Sequence, residues 1–398
     1  MAKTKLTNLI KSKVLAVEEK VIKIRRIIHQ NPELSFAEKE TAALAAEEMK
    51  NLGFEVKENI YGTGVTATFI NSSDPTAKTL LIRADMDALP VQEKNSLNFK
   101  SKKEGVMHAC GHDGHTAILI GTAIVLKKLA QEFEGNLKFV FQPGEETSGG
   151  AAGMIKAGIL KNPSVDAAIG LHLWGSSPKG VVEYKTGPLM AATDSFDLEI
   201  IGNGGHAARP QNTIDPIPIG AEIVSALQTL VSRRIDPLDS AVISVCNFEA
   251  GTTHNIIPDR AILKATVRSL KSEIREKLAT NIKKIIANIC DIYGADYKLD
   301  YNFGYPAVIN DAALTKILAQ AAVKVLGKER VQKRQQAEMG GEDFAYFNQS
   351  IPAVFYFLGI APPGQIINHH QSDFQFDDSV LKDGVAVMVQ TALDFFAN

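Results

Sequence analysis

Two carboxylates, Glu145 and Glu146, stand side by side after the apolar run LKFVFQPG. That pairing fits a hydrolysis in which one carboxylate binds a metal and the other takes a proton from water. Adjacent residues beyond a strand point in different directions, so the two can divide these roles. Two more apolar runs end in ligand-type residues: LLIRA in Asp85-Met86-Asp87, and AAIGL in His172. The loop His108-Ala109-Cys110-Gly111-His112-Asp113-Gly114-His115 sets a thiol and an imidazole two residues apart across a glycine. A further pair, His369-His370, follows the run PAVFYFLG. Cysteine, histidine and carboxylate together suit zinc, with manganese, cobalt or nickel as alternatives.

Each piece has an ordinary reading when taken alone. Glu145-Glu146 fits a solvated loop, His172 a satisfied core histidine, Asp85 the cap of a turn, and a lone Cys-x-His is a weak signal. His108 and His115 are read as structural. The joint arrangement carries the argument, because ligand-bearing loops recur at strand ends in a chain with 9 histidines. In an open α/β sheet, ligands bind in the crevice at the carboxyl ends of the strands.

The elements that must position these residues can be read from periodicity. LTNLIKSKVLAVEEKVIKIRRIIH reads as one helix ending at Asn31-Pro32, and Ser35 with Glu38 as a capping box opening a second. GVTATFI alternates like a half-buried strand, and TLLIRA, NLKFVFQ and VDAAIGLHL read as buried strands. TAILIGTAIVLKKLAQEF reads as a helix between them. This alternation predicts a mixed, largely parallel sheet sandwiched by helices. From residue 191 to 304 the order becomes β-α-β-β-α-β, a ferredoxin-like unit inserted into the first fold. A helix near Asp311–Leu326, the strand PAVFYFLG and a final amphipathic helix from Asp378 then complete the α/β part, which spans 1–190 and 305–398.

Composition narrows the function classes. The 398 residues exceed one ordinary core. Lys and Arg number 43 against 45 Asp and Glu, which argues against nucleic acid as a partner. No apolar run reaches the ~18 residues of a membrane span. The N-terminus lacks the apolar segment and cleavage site of a signal peptide, and three cysteines without a spacing framework point to a reducing compartment, the cytoplasm by default. Cys246 and Cys290 are read as small buried hydrophobes.

Taken together, RRIIHQNPELSFAE, LLIRADMDALPVQE, GVMHACGHDGHT, FQPGEET, GLHLW, GNGGHAARP, NIIPD, TVRSL and MGGEDFAYF occur in this order between residues 25 and 347. With them the chain resembles the aminoacylase and hippurate-hydrolase group of dinuclear metallopeptidases in peptidase clan MH. That group includes N-acyl-L-amino-acid amidohydrolases, thermostable carboxypeptidases and auxin-conjugate hydrolases. The resemblance implies two divalent ions held by Cys110, His112, Glu146, His172 and His370, with Glu145 as general base and Asp87 orienting a ligand histidine. The final motif departs from the family pattern: HHQSDF leaves His369 as an alternative to His370, although the spacing to Phe374 favours His370. The resemblance further implies that His206 polarises the scissile carbonyl. Asn255 and Arg268 would hold the substrate carbonyl and carboxylate, and Gly340 and Gly341 would line the substrate pocket. It also implies that 191–304 is a lid and the contact of a homodimer. Two rivals remain on sequence grounds: an amidase with Cys110 as nucleophile, and a non-catalytic metal- or substrate-binding protein.

Overall fold

The computed structural model describes residues 2–147 and 149–397. They form two compact units. One comprises 1–187, 309–336 and 343–398, and the other 188–308 with 337–342.

The first unit is built on a sheet of eight strands. Their spatial order is Glu55–Ile60, Gly64–Asn71, Gly135–Gln142, Thr79–Asp85, Ala167–Pro178, Ala353–Ala361, Val182–Tyr184 and Val331–Lys333. The four strands from Gly135–Gln142 to Ala353–Ala361 run parallel, and antiparallel pairings flank them. Every residue of Thr79–Asp85, Gly135–Gln142 and Ala353–Ala361 is buried, as parallel strands covered on both faces must be. The helix His112–Lys128 is buried from His112 to Leu126, and Glu18–Gln30 and Leu381–Phe396 pack against it. Strands and helices share one apolar core.

Two local expectations fail for tertiary reasons. The first long helix is two, Ala2–Leu15 and Glu18–Gln30, separated by a turn at Ala16-Val17. Ser35 and Glu38 form no capping box. Ser35 Oγ donates to Asp87 Oδ2 at 2.7 Å, and the buried Glu38 accepts the N–H groups of Phe36 and Gly144, both at 2.9 Å. The helix Lys39–Asn51 is capped instead by Glu33, whose carboxylate accepts the N–H groups of Glu40 and Thr41. Residues typed for a local cap are thus recruited by the loops beside Asp87 and Gly144.

The second unit follows the order Ala192–Ile201, Pro216–Arg234, Ala241–Ala250, Arg260–Ser269, Ser272–Tyr293, Asp296–Asn302, which is β-α-β-β-α-β. Its four strands pair antiparallel, with Ala192–Ile201 and Arg260–Ser269 in the middle. Alternate residues of Ala192–Ile201 are buried, the period-2 pattern of a sheet with one covered face, and this unit has its own core. Cys290 is buried in that core as expected. Cys246 is not: it is exposed on the edge strand, where the pairing slips between Val245 and Asn247. A bulge leaves an extra residue outside the ladder, and alternation read from sequence misses such a slip.

Candidate metal centre

The parallel strands deliver their polar residues to one edge of the sheet. Thr79–Asp85 ends in Asp85, and Gly135–Gln142 runs into the turn that carries Glu145 and Glu146. Ala167–Pro178 is longer than its sequence pattern indicates, so His172 lies inside it. Its pairing with Thr79–Asp85 nevertheless stops at Gly170, which leaves His172 just beyond the paired segment. Gly111, at φ +90°, turns the chain between Cys110 and His112 in a conformation that favours glycine.

These loops bring the expected ligand atoms together. Cys110 Sγ lies 3.4 Å from His172 Nε2. His112 Nε2 and His370 Nε2 lie 3.7 Å and 3.4 Å from the same Glu146 oxygen, Oε1. The ligand atoms of Cys110, His112 and Glu146 fall within 4.8 Å of one another, as do those of Cys110, His172 and His369. Cys110 therefore belongs to both groups. His370 sits at φ +63°, a sparsely populated conformation for a residue with a side chain, and its N–H is anchored on Ala109 O at 2.8 Å.

The far nitrogens fix which ring atoms face the cluster. His112 Nδ1 is 3.2 Å from Asp87 Oδ1, so its N–H points there. Asp87 also accepts the Ser35 hydroxyl and the N–H of Glu146, at 2.9 Å. His172 Nδ1 meets Leu173 O at 2.8 Å. In both rings Nε2 faces the cluster, and it carries the lone pair whenever the ring is neutral. His112 Nε2 and Glu146 Oε1 are buried and, among the described residues, have no hydrogen-bond partner.

A divalent cation fits this arrangement. Two donors bound tetrahedrally at about 2.0–2.3 Å are about 3.3–3.8 Å apart, and the Cys110–His172, His112–Glu146 and His370–Glu146 separations match. Without a metal, protons occupy these positions, on the Cys110 thiol and on His112, and a divalent cation would displace them. The proton equilibria say the same. Burial, then the carboxylates of Glu146 and Glu145, push the Cys110 thiol well above its usual range. Burial opposes charge on His112, yet Asp85 and Asp87 raise it to about 10. Burial and the neighbouring histidines hold His172 well below its usual value. The site is thus rich in negative charge and lone pairs.

Glu145 is buried near enough to the cluster for its charge to act on the Cys110 thiol, and its Oε1 accepts the N–H of Asp343 at 3.4 Å. His115 is structural as expected: Nδ1 donates to Asp85 Oδ1 at 2.6 Å and Nε2 accepts the N–H of Leu173. His108 is buried, neither ring nitrogen is hydrogen-bonded among the described residues, and burial lowers it to about 3. Sequence reasoning missed the polar layer beneath. Arg83 is fully buried and donates to Asp85, Asp343 and Gln142, while Gln142 and the N–H of Ala151 also bind Asp343. An arginine inside an otherwise apolar strand was the available signal.

In the second unit His206 and Asn255 adjoin. Ile256 pairs with His206, and Ala207 N–H donates to Asn255 O at 3.1 Å. His206 Nδ1 accepts the N–H of Ala208, which puts the ring proton of the neutral form on Nε2. Arg268 belongs to the four-stranded sheet, where it donates to Val267 O and Asp194 O. Gly340 and Gly341 belong to this unit, and Gly340 O accepts the N–H of Ala191.

Residues 81–394 match the profile of Peptidase family M20/M25/M40. The chain belongs to this family. It is 43% identical over 302 residues to an N-acyl-L-amino acid amidohydrolase of Geobacillus stearothermophilus, covering 76% of this chain and 80% of that one. It is 39% identical to thermostable carboxypeptidase 2 of Saccharolobus solfataricus, over 98% of this chain and 99% of the relative. Among solved structures it is similar to the Bacillus subtilis YXEP protein, a dinuclear metal-binding peptidase, with a TM-score of 0.83 at 33% identity. That match covers 96% of this chain and 99% of the other. The protein is therefore a hydrolase of amide bonds. No helix among the described residues is long and apolar enough to cross a membrane.

Proposed function

We propose that the protein hydrolyses the amide bond of N-acyl-L-amino acids or short peptides, with two divalent ions, zinc foremost, held by Cys110, His112, Glu146, His172 and His370. The observation that carries this reading is the set of donor atoms at coordination spacing, two of them buried without a partner. Two ions are supported by the place of Cys110 beside both His172 and the His112–Glu146 pair, and by the dinuclear relative. When bound, such ions polarise the scissile carbonyl and make water a stronger acid.

The chain's own residues do the rest. Glu145 takes a proton from the attacking water while the new C–O bond forms at the carbonyl carbon. It then passes that proton to the amine nitrogen as the C–N bond breaks, leaving a carboxylic acid and an amine. Asp87 holds His112 and the Glu146 backbone in the geometry this needs. In the second unit, the Nε2–H tautomer of His206 suits a donor to the developing carbonyl oxygen. Asn255 serves the same carbonyl, Arg268 suits the substrate carboxylate by its fork of donors, and Gly340 and Gly341 line the pocket. The family resemblance supports these four assignments and a homodimer through this unit, and the three cysteines without a spacing framework support a cytoplasmic site of action. The thiol reading of Cys110 is disfavoured, because a nucleophilic cysteine needs a depressed pKa and here burial and two carboxylates raise it.

The test is amine release from a panel of N-acetyl and N-benzoyl amino acids and dipeptides, before chelation, after it, and after adding back zinc, manganese or cobalt. Loss and recovery with metal is the expected result. Turnover indifferent to chelation would overturn the proposal.

A further inference from the structure

We infer that His369 is not a metal ligand but the hydrogen-bond donor that positions and tunes the Cys110 thiolate. The inference rests on the reading of Cys110 as a ligand, and it gives a role to the histidine that the sequence left as a rival to His370.

The tautomer decides it. His369 Nε2 accepts the N–H of Gly175 at 3.0 Å. A neutral imidazole carries one N–H, so with Nε2 accepting, the proton is on Nδ1. Nδ1 lies 3.6 Å from Cys110 Sγ, a hydrogen-bonding distance for sulfur. A nitrogen that carries a proton has no lone pair for a metal. For Nδ1 to ligate, the ring must lose its only proton or give up the Gly175 bond.

The ring is held where it is. Its centroid is 5.2 Å from both Trp174 and Phe374. The segment before it is laced to the strand Ala167–Pro178: Ile367 N–H donates to Gly175 O at 2.8 Å, and a Cβ on Gly175 would fall 1.9 Å from Ile367 O. His370 then turns at positive φ and directs Nε2 toward Glu146. One histidine thus supplies an N–H to the sulfur and the next a lone pair to the cluster. An N–H on a buried thiolate offsets the cost of its charge where two carboxylates oppose it, and makes the sulfur a weaker electron donor.

Cobalt-loaded full-length protein provides the test, through the near-ultraviolet sulfur-to-cobalt charge-transfer band and the number of ions bound. His369→Phe keeps an aromatic ring between Trp174 and Phe374 but has no donor. His369→Asn restores an N–H near the Nδ1 position. The expected result is a band displaced to longer wavelength in the Phe variant and cobalt affinity lower by ~10–100-fold. The Asn variant should recover most of both, with the full ion count in each. An unmoved band in a Phe variant that melts like the parent overturns the inference. So does a Phe variant one ion short while His370→Ala keeps both. A parent protein without any thiolate band removes the Cys110 ligand reading itself, a failure distinct from an unmoved band.

Discussion

Asp87→Asn changes one atom and tests how the site sets the tautomer of His112. Asp87 Oδ1 receives the His112 Nδ1–H, and Oδ2 receives the Ser35 hydroxyl and the Glu146 N–H. Asparagine has one oxygen and one NH2. If its oxygen stays on Ser35 and Glu146, the NH2 faces His112 Nδ1 and forces the ring proton onto Nε2, which then cannot bind metal. If the amide flips, the NH2 meets two other donors instead. One charge-assisted hydrogen bond, worth about 1.5–3 kcal/mol, is lost either way. At about 1.4 kcal/mol per tenfold, metal affinity should fall by about 10- to 100-fold. Competition against a chromophoric chelator reads this directly. Turnover at saturating metal should recover in part, since the ligand set is intact. If affinity stays within about threefold while activity disappears even in excess metal, Asp87 does not act through His112, and the tautomer argument fails.

Three further outcomes follow from the same geometry. Glu145→Gln should bind the full complement of metal but lose about 10²–10⁴-fold in kcat, and unchanged hydrolysis would remove Glu145 as the base. Arg83→Met strands the buried carboxylates of Asp85 and Asp343, so unfolding stability should drop by about 3–5 kcal/mol; a loss below ~1 kcal/mol in denaturant titration would mean that these carboxyls are neutral in the parent. Metal uptake should release protons. At pH 8 the metal-free site holds one on Cys110, raised well above its usual range, and one on His112, raised to about 10. Affinity should therefore weaken as pH falls, by about 100-fold per unit for two displaced protons. Calorimetry in buffers of different ionisation enthalpy counts them, and a count of zero contradicts a thiolate ligand.

The sheet was legible because burial on both faces imposes continuous apolar runs, and TLLIRA, KFVFQ and PAVFYFLG are such runs. The inserted β-α-β-β-α-β unit was legible from its period-2 strands and amphipathic helices. What escaped was register and recruitment. No local pattern marks the bulge that exposes Cys246. Nor does one tell that Ser35 leaves its helix for Asp87, 52 residues away. The ligand types were visible as residues at strand ends. Spacing to Phe374 favoured His370 over His369, but the hydrogen bond that occupies His369 Nε2 was not visible, because its backbone N–H comes from a strand remote in sequence.

The buried polar layer shows why the site stands out even so. A carboxylate under a parallel sheet edge must be paired, and Asp85 is paired twice, with Arg83 and with His115. Arg83 in turn ties Asp85 to Asp343, whose backbone N–H faces Glu145. His115 closes the other side through Leu173, next to His172. Ligand and base positions are therefore coupled through charges outside the proposed ligand set. An apolar layer of equal volume would be as stable or more so, since buried ion networks add little to stability against well-packed hydrophobic residues. Their retention is accounted for by the orientation they impose. It follows that exchanging Arg83, Asp85 and Asp343 together for apolar residues should leave the fold more intact than Arg83→Met alone, while loosening the placement of Glu145 and His172. Comparing denaturant stability with turnover across those two variants separates packing from positioning.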